Sequence, residues 1–377
     1  MLIFIAKSKK VKSGVSIHFI LAIYIPVTII MVSCGDDFGS SGSEEFDREA
    51  LLENLGANVI IPSYESYREG VIALKQRSIE FTQVPNAQTL QTLREQFKSS
   101  YLLWQKCSFY EFGPAAEISL KSSTNSFPAD VQKINTNISS GIYDLNMPIN
   151  RTAIGFPAID YLIYGNDKTD NQLIIDFVDE PFRRAYLNDL VLQMEDNIEF
   201  VVDEWNPNGN NYLEGFIVKS GTDANSSPSL LYNAFSSHLE TNTKDGKIGI
   251  PMGILPGGLQ APDDTEAFYS QISVPYMSEN TEAMKQFFLG DYNGNSGLGF
   301  DDWLDARSAR YEDRLLSNVI GDQFDLSISS ISEINDPFSI TLIENPLKAN
   351  EAFNNLQLLS DLIQTNVSTA FEIALVD

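Results

Sequence analysis

Between Thr89 and Tyr110, Leu90, Leu93, Phe97, Tyr101 and Trp104 recur at three- and four-residue steps. That spacing is one apolar face of a long amphipathic helix. Cys107 and Ser108 extend the same stripe by one turn, and Gly113-Pro114 ends it. The pattern recurs along the chain. Arg48–Ile61 carries Leu51, Leu52, Leu55, Val59 and Ile60, and Pro62 interrupts it. Tyr67–Phe81 carries Val71, Leu74, Ser78 and Phe81. Pro181–Trp205 carries Leu187, Leu190, Val191, Met194, Ile198, Val201 and Trp205. Further helices are expected around His238, over Thr265–Gly290 with an interruption near Pro275, over Asp302–Val319 and over Ala349–Ala374. Segments 118–150 and 321–345 lack the helical period and read as loops. The fold class is therefore all-α, a bundle in two parts. Asn206-Pro-Asn-Gly-Asn-Asn211 breaks the long middle helix, so the halves run 48–205 and 206–377. No internal repeat is evident.

A chain of 377 residues with 43% apolar side chains can bury a large core. Its 51 acidic against 25 basic residues argue against nucleic acid as a partner, since neutralising phosphates takes Lys and Arg. The basic residues begin with Lys7, Lys9, Lys10 and Lys12, ahead of the apolar run Val15–Ile30 and Met31-Val-Ser-Cys34. This layout resembles a bacterial lipoprotein signal, 1–33, with Cys34 as the lipidated first residue of the mature chain. An ordinary secretory signal and a retained membrane helix are the competing readings. Residues 34–47 are rich in Gly, Ser and acids and read as a flexible acidic tether. Acids just behind the lipid cysteine also resemble a surface-export signal.

Two counts remove mechanisms. Lipidation of Cys34 would leave Cys107 without an internal partner, so no disulfide is expected. His18 lies in the leader, leaving His238 as the one histidine for a mature site. There is no HExxH, and nothing near a serine resembles a nucleophile elbow. His238 itself reads as a partly buried or surface helix residue. Gly155-Phe-Pro-Ala-Ile-Asp-Tyr-Leu-Ile-Tyr-Gly165 reads as one short helix, with Pro157 in its first turn, Gly165 after its last, and Asp160 three residues past Pro157. A carboxylate there either serves a site or tethers a helix end. Glu266 and Ser270, four apart on an expected helix, share a face. Asp291, Asn293 and Asn295 fall at positions 1, 3 and 5 of an EF-hand-like loop, with Leu298 at position 8 and Asp302 at position 12. Ser296 replaces the turn glycine of that loop, and a plain Gly/Asn-rich connection explains it as well.

Several stretches together resemble one family. Asn58-Val-Ile-Ile-Pro-Ser-Tyr64, Leu93-Arg94, Trp104-Gln105 and Phe112-Gly113-Pro114 are similar to the N-terminal pattern of the imelysin family. Asp245-Gly-Lys-Ile-Gly-Ile-Pro-Met-Gly253, Glu266-Ala-Phe-Tyr-Ser270 and Gly297-Leu-Gly-Phe-Asp-Asp302 resemble its Bacteroidetes lipoprotein branch. The resemblance spans about residues 48–377. It implies two helical-bundle subdomains side by side, an exported protein associated with iron uptake, and a peptidase by family name. The family motif GxHxxE places a His and a Glu in one cavity, as metal binding needs. Here Gly155 matches, but Pro157 and Asp160 hold the His and Glu positions, and Ser108 holds that of a further acid.

The expectation is therefore an imelysin-like outer-membrane lipoprotein with a degenerate motif. It would bind a ligand associated with iron, haem or metal uptake rather than cleave one. Its partners would be the membrane, through lipid on Cys34, and an outer-membrane uptake protein. A metal-dependent peptidase and a surface interaction module are the alternatives. The cofactor is left open between a metal ion and none. Ser108, Gly155, Pro157, Asp160, Tyr161, Glu266 and Ser270 are the candidate pocket residues.

Overall fold

The computed structural model describes residues 46–165, 167–254 and 258–375. The expected leader, Cys34 and all but the last two residues of the tether lie outside these. Those two residues are built into the fold. Phe46 stacks on Trp303 at 6.1 Å, and the Asp47 side chain accepts from Ala50 N–H to cap the first helix, Arg48–Glu53.

The architecture is all-α. In the first half α1 (Ile61–Gln83) packs along α2 (Ala87–Gln105) and along the long α5 (Pro181–Trp205). Two shorter helices, α3 (Val131–Ser140) and α4 (Gly155–Tyr164), close on α5. In the second half α6 (Ser227–Ser237) leads into a π-helical segment, His238–Gly249. Helix α8 (Leu316–Ser332) packs between α7 (Ser273–Phe288) and α9 (Pro346–Asp361), and both α7 and α9 pack against the π-helical segment. Helix α2 also contacts α7, so one buried core runs from Leu51 to Ile373, and Phe46–Asp377 forms one compact unit. Aromatic rings fill that core, as where Phe156 stacks on Tyr101 at 4.1 Å.

Four expectations about elements are corrected. Pro62 does not break the chain. A π-helical turn, Asn54–Ile60, opens the backbone ahead of it, and Ser63 Oγ donates to the Val59 carbonyl. Segments 118–150 and 321–345 are largely helical. Helix α3 has only Val131, Ile134 and Ile138 as its apolar positions, and its buried Asn137 is satisfied by Asn150 and Tyr186. Helix α8 puts buried serines, Ser327 and Ser330, where an apolar stripe would show. Segment 302–319 is a short helix, Phe300–Ala306, then an antiparallel pair β1 (Arg310–Tyr311) and β2 (Arg314–Leu315) before α8 begins. Helix α2 stops at Gln105, five residues short of Tyr110, because Asn280 Nδ2 takes the Gln105 carbonyl at 3.0 Å.

Gly155 opens α4 at φ +68°, and a Cβ there would lie 2.1 Å from the Thr124 carbonyl oxygen. Conformation and space both demand glycine. Gly155→Ala is expected to cost about 3 kcal/mol or more. Gly215→Ala, in a helix with nothing within 4 Å of the new methyl, should be neutral or stabilising. Urea unfolding of the two variants checks both.

Candidate functional site

Asp160 is buried on α4, and its carboxylate reaches out of the first half. It accepts the backbone N–H of Tyr269 at 2.9 Å and of Ser270 at 3.1 Å. This fastens the 265–272 connection to α4. Burial pushes its carboxyl up to about 7, against the Ser270 and Tyr269 donors, and the Glu266 charge adds to the rise.

Glu266 and Ser270 are not on a helix. Residues 266–271 are turns, with Ala267 at φ +54° and Gln271 at φ +59°. Helix α7 begins only at Ser273, where Asp336 accepts the N–H groups of Ser273 and Val274 at 3.2 Å. The two side chains therefore diverge. Ser270 stays beside Asp160, and Glu266 enters the interior.

Glu266 there meets a polar group set that the sequence did not announce. Its Oε1 accepts from Gln105 Nε2 at 3.0 Å and Asn125 Nδ2 at 2.7 Å, and its Oε2 accepts from Lys247 Nζ. Lys247 also donates to Gln105 Oε1 at 3.0 Å, and Tyr101 OH donates to Asn125. Glu266 and Lys247 are 1% and 4% exposed, so this is a desolvated ion pair with its remaining hydrogen-bonding capacity met by amides. Burial lowers the Lys247 pKa, and Glu266 opposes the shift.

Ser108 and His238 sit beside this pair. Asn280 Nδ2 donates to the Gln105 carbonyl and, at 3.1 Å, to Ser108 Oγ, which turns Asn280 Oδ1 toward Thr243 Oγ1 at 2.7 Å and His238 Nε2 at 3.2 Å. An acceptor facing Nε2 requires that nitrogen to carry the proton. Ser108 Oγ is 3.5 Å from the same nitrogen, so it has no base there. His238 Nδ1 has no hydrogen-bond partner. Burial, with the Lys121 and Lys247 charges, holds the imidazole well below its usual range and neutral. His238 is thus a fully buried member of the network, not the partly buried or surface residue expected. A cavity of about 20 Å³, room for one water, is lined by Ser108, Lys121, Asn125, His238 and Lys247.

The structure brings Ser108, Glu266 and His238 into one network and joins Asp160 to Ser270 in a second cluster. Pro157 and Asp160 line a smaller cavity that shares Phe127 with the first. The Tyr161 ring packs edge-on against Tyr269 at 5.2 Å, and its hydroxyl pairs with Asn135 at 3.0 Å. In the loop 291–302, Asp302 Oδ2 accepts Gly299 N–H as a helix cap, and Asn54 Nδ2 pins the Gly290 and Leu298 carbonyls at 2.9 Å. Asn293 lies at φ +49°, and Tyr292 and Asn295 bridge across the turn. The donor chemistry does not fit a resident metal. Glu266 is engaged by an ammonium and two amides, Asp160 by backbone N–H groups, and His238 by Asn280. Among the described residues, no three or more His, Cys, Asp or Glu are grouped to hold one.

Gln105, Asn125, Lys247 and Asn280 were not among the expected site residues. Gln105 carried a signal, since it follows Tyr101 by four residues and so lies on the apolar face of α2. Lys247 carried none at helical period. Its segment is π-helical, with i→i+5 bonds, and so presents His238, Thr243 and Lys247 on one side.

Residues 60–365 match the family model for imelysin. The chain belongs to the imelysin family. It is similar to iron-regulated protein A of Synechococcus elongatus, at 20% identity over 78% of this chain and 80% of the relative. A crystal structure of a candidate iron-regulated protein A precursor from Parabacteroides distasonis superimposes with a TM-score of 0.67 at 16% identity, covering 88% of this chain and 97% of that one. An imelysin-like protein from Psychrobacter arcticum does so at 0.62 and 14%, with the same coverage. These likenesses show the imelysin fold.

Two outcomes follow from the geometry. Lys247→Ala strands the buried Glu266 carboxylate and should cost about 3–5 kcal/mol in denaturant unfolding. The double variant Lys247→Met/Glu266→Gln, which buries no charge, should recover more than half of that. Asp160 has a folded pKa raised above the ordinary value of about 4. Its contribution is then full below about pH 4 and lost as pH rises through about 7. Across that window the stability difference between the native protein and Asp160→Asn should fall, as read from unfolding midpoints at each pH.

Proposed function

We propose that this imelysin-family chain is a cell-envelope lipoprotein that binds a partner or ligand in an iron-related process, without peptidase chemistry at the motif helix. The observation that carries the non-catalytic part is the Lys247–Glu266 pair. The interior carboxylate Glu266 spends its charge on an ammonium of the same chain. The second carboxylate, Asp160, spends its oxygens on two backbone amides, and Ser108 has no base. The iron association is supported by the name of the Synechococcus relative, an iron-regulated protein. Anchoring in the outer membrane is supported by the lysine-rich leader and Cys34, and an uptake complex in that membrane would be the natural partner.

The purified protein, equilibrated with iron or zinc and then desalted, should retain substoichiometric metal by elemental analysis. It should show no protease activity that a chelator removes. Chelator-sensitive cleavage abolished by Asp160→Ala would overturn the reading. Radiolabelled palmitate incorporation that is lost in Cys34→Ala tests the anchor separately.

A further inference from the structure

Beside the Lys247–Glu266 pair, the cavity of about 20 Å³ is bordered by two ammonium groups, Lys121 and Lys247, and by no carboxylate among the described residues. Lys121 stands on the short helix Leu120–Thr124 and Lys247 on the π-helical segment. An ammonium has three N–H donors. Lys247 spends two, on Gln105 and Glu266, and Lys121 spends one, on Asn242 Oδ1 at 3.0 Å. Both lysines therefore keep donors in hand. A further donor is independent of them. Trp104 lines the cavity and is 1% exposed, and its indole N–H has no acceptor among the described residues. The indole nitrogens of Trp205 and Trp303 are sealed in the core. The Trp104 nitrogen is not, and the cavity is the open space that this side chain lines. The acceptors in the same wall are already engaged: Gln105 Oε1 by Lys247, Asn125 Oδ1 by Tyr101 and Asn242 Oδ1 by Lys121.

We propose that this cavity binds a small monovalent anion of the size of chloride. An anion accepts from every side and donates nothing, which matches a wall of surplus donors and engaged acceptors. A water would bring two hydrogens that compete for acceptors already in use. The volume admits one particle near the size of a water, which rules out sulfate, phosphate and larger oxyanions. The local charge also favours an anion. Glu266 is matched by Lys247, while Glu111 accepts the Lys121 backbone N–H at 2.9 Å and lies in the field of both Lys121 and Arg151. Acids further off than about 10 Å are screened at ordinary salt, so the chain's formal charge of −26 does not decide the sign here. Burial lowers the pKa of both lysines, and an anion beside them would oppose that shift. This assignment shares residues with the reading of the centre given above, but its test is separate: metal analysis bears on that reading and halide on this one.

Two measurements on the purified protein test it. A crystal soaked in sodium bromide should show an anomalous scattering peak in the cavity. In solution, the thermal unfolding midpoint should rise by about 2 °C for each tenfold increase in chloride, at constant ionic strength with gluconate as the balancing anion. Gluconate is too large to enter. Lys121→Met keeps the stem and loses the charge, and it should lose both the peak and the rise. A cavity that holds only water in bromide would overturn the proposal, as would a chloride dependence unchanged in Lys121→Met. The native crystal decides even where that variant does not fold.

Discussion

The ion pair between Lys247 and Glu266 organises the centre of this molecule. Two opposite charges withdrawn from water are tolerable only when close and when every remaining donor and acceptor is met. Gln105 serves both partners at once, giving its NH₂ to Glu266 and its carbonyl to Lys247. Asn125 adds the other donor to Glu266. These residues come from α2, the connection after it, the π-helical segment and the turn before α7. One ion pair thereby fixes the relative positions of elements from both halves of the chain.

The geometry depends on two local departures from regular helix. The π-helical segment His238–Gly249 bonds at i→i+5, which brings Thr243 and Lys247 round to the side of His238. At α-helical pitch Thr243 and Lys247, four apart, would share a face and His238 would point away from it. The turns at Ala267 and Gln271, both at positive φ, carry Glu266 inward while leaving Ser270 against Asp160. Non-glycine residues at positive φ need support, and the two Asp160 bonds together with Ser273 Oγ on the Glu266 carbonyl supply it.

The helix that resembles the family's motif keeps its opening glycine, and its carboxylate is engaged within the chain. Gly155 stays because φ +68° and the Thr124 carbonyl leave no room for a side chain. Asp160 uses its carboxylate as a clamp on backbone amides. Ser108 sits close to the ion pair without charge, and Asn280 dictates the His238 tautomer beside it. A metal centre would need those carboxylates and that imidazole free to ligate, and each is already in use.

Much of the fold was legible in the chain. Long stripes such as Leu90 to Trp104 and Leu187 to Trp205 decide helix, because burying one face at a period of 3.6 admits no other regular structure. Glycine and proline at Gly155, Pro157 and Gly165 framed the motif helix, and the departures at Pro157 and Asp160 could be read without coordinates. Helices with polar residues among their buried positions escaped: Asn137 of α3 bonds across the core to Asn150 and Tyr186, and Ser327 and Ser330 of α8 bond back to their own helix. The site was legible only in part. Ser108, Asp160 and Glu266 could be named, but which group each would meet was a tertiary matter. The partners Lys247, Asn125 and Asn280 lie far from them in sequence. Desolvation, which makes Glu266 demand an ammonium and leaves His238 neutral, exists only once the core has closed.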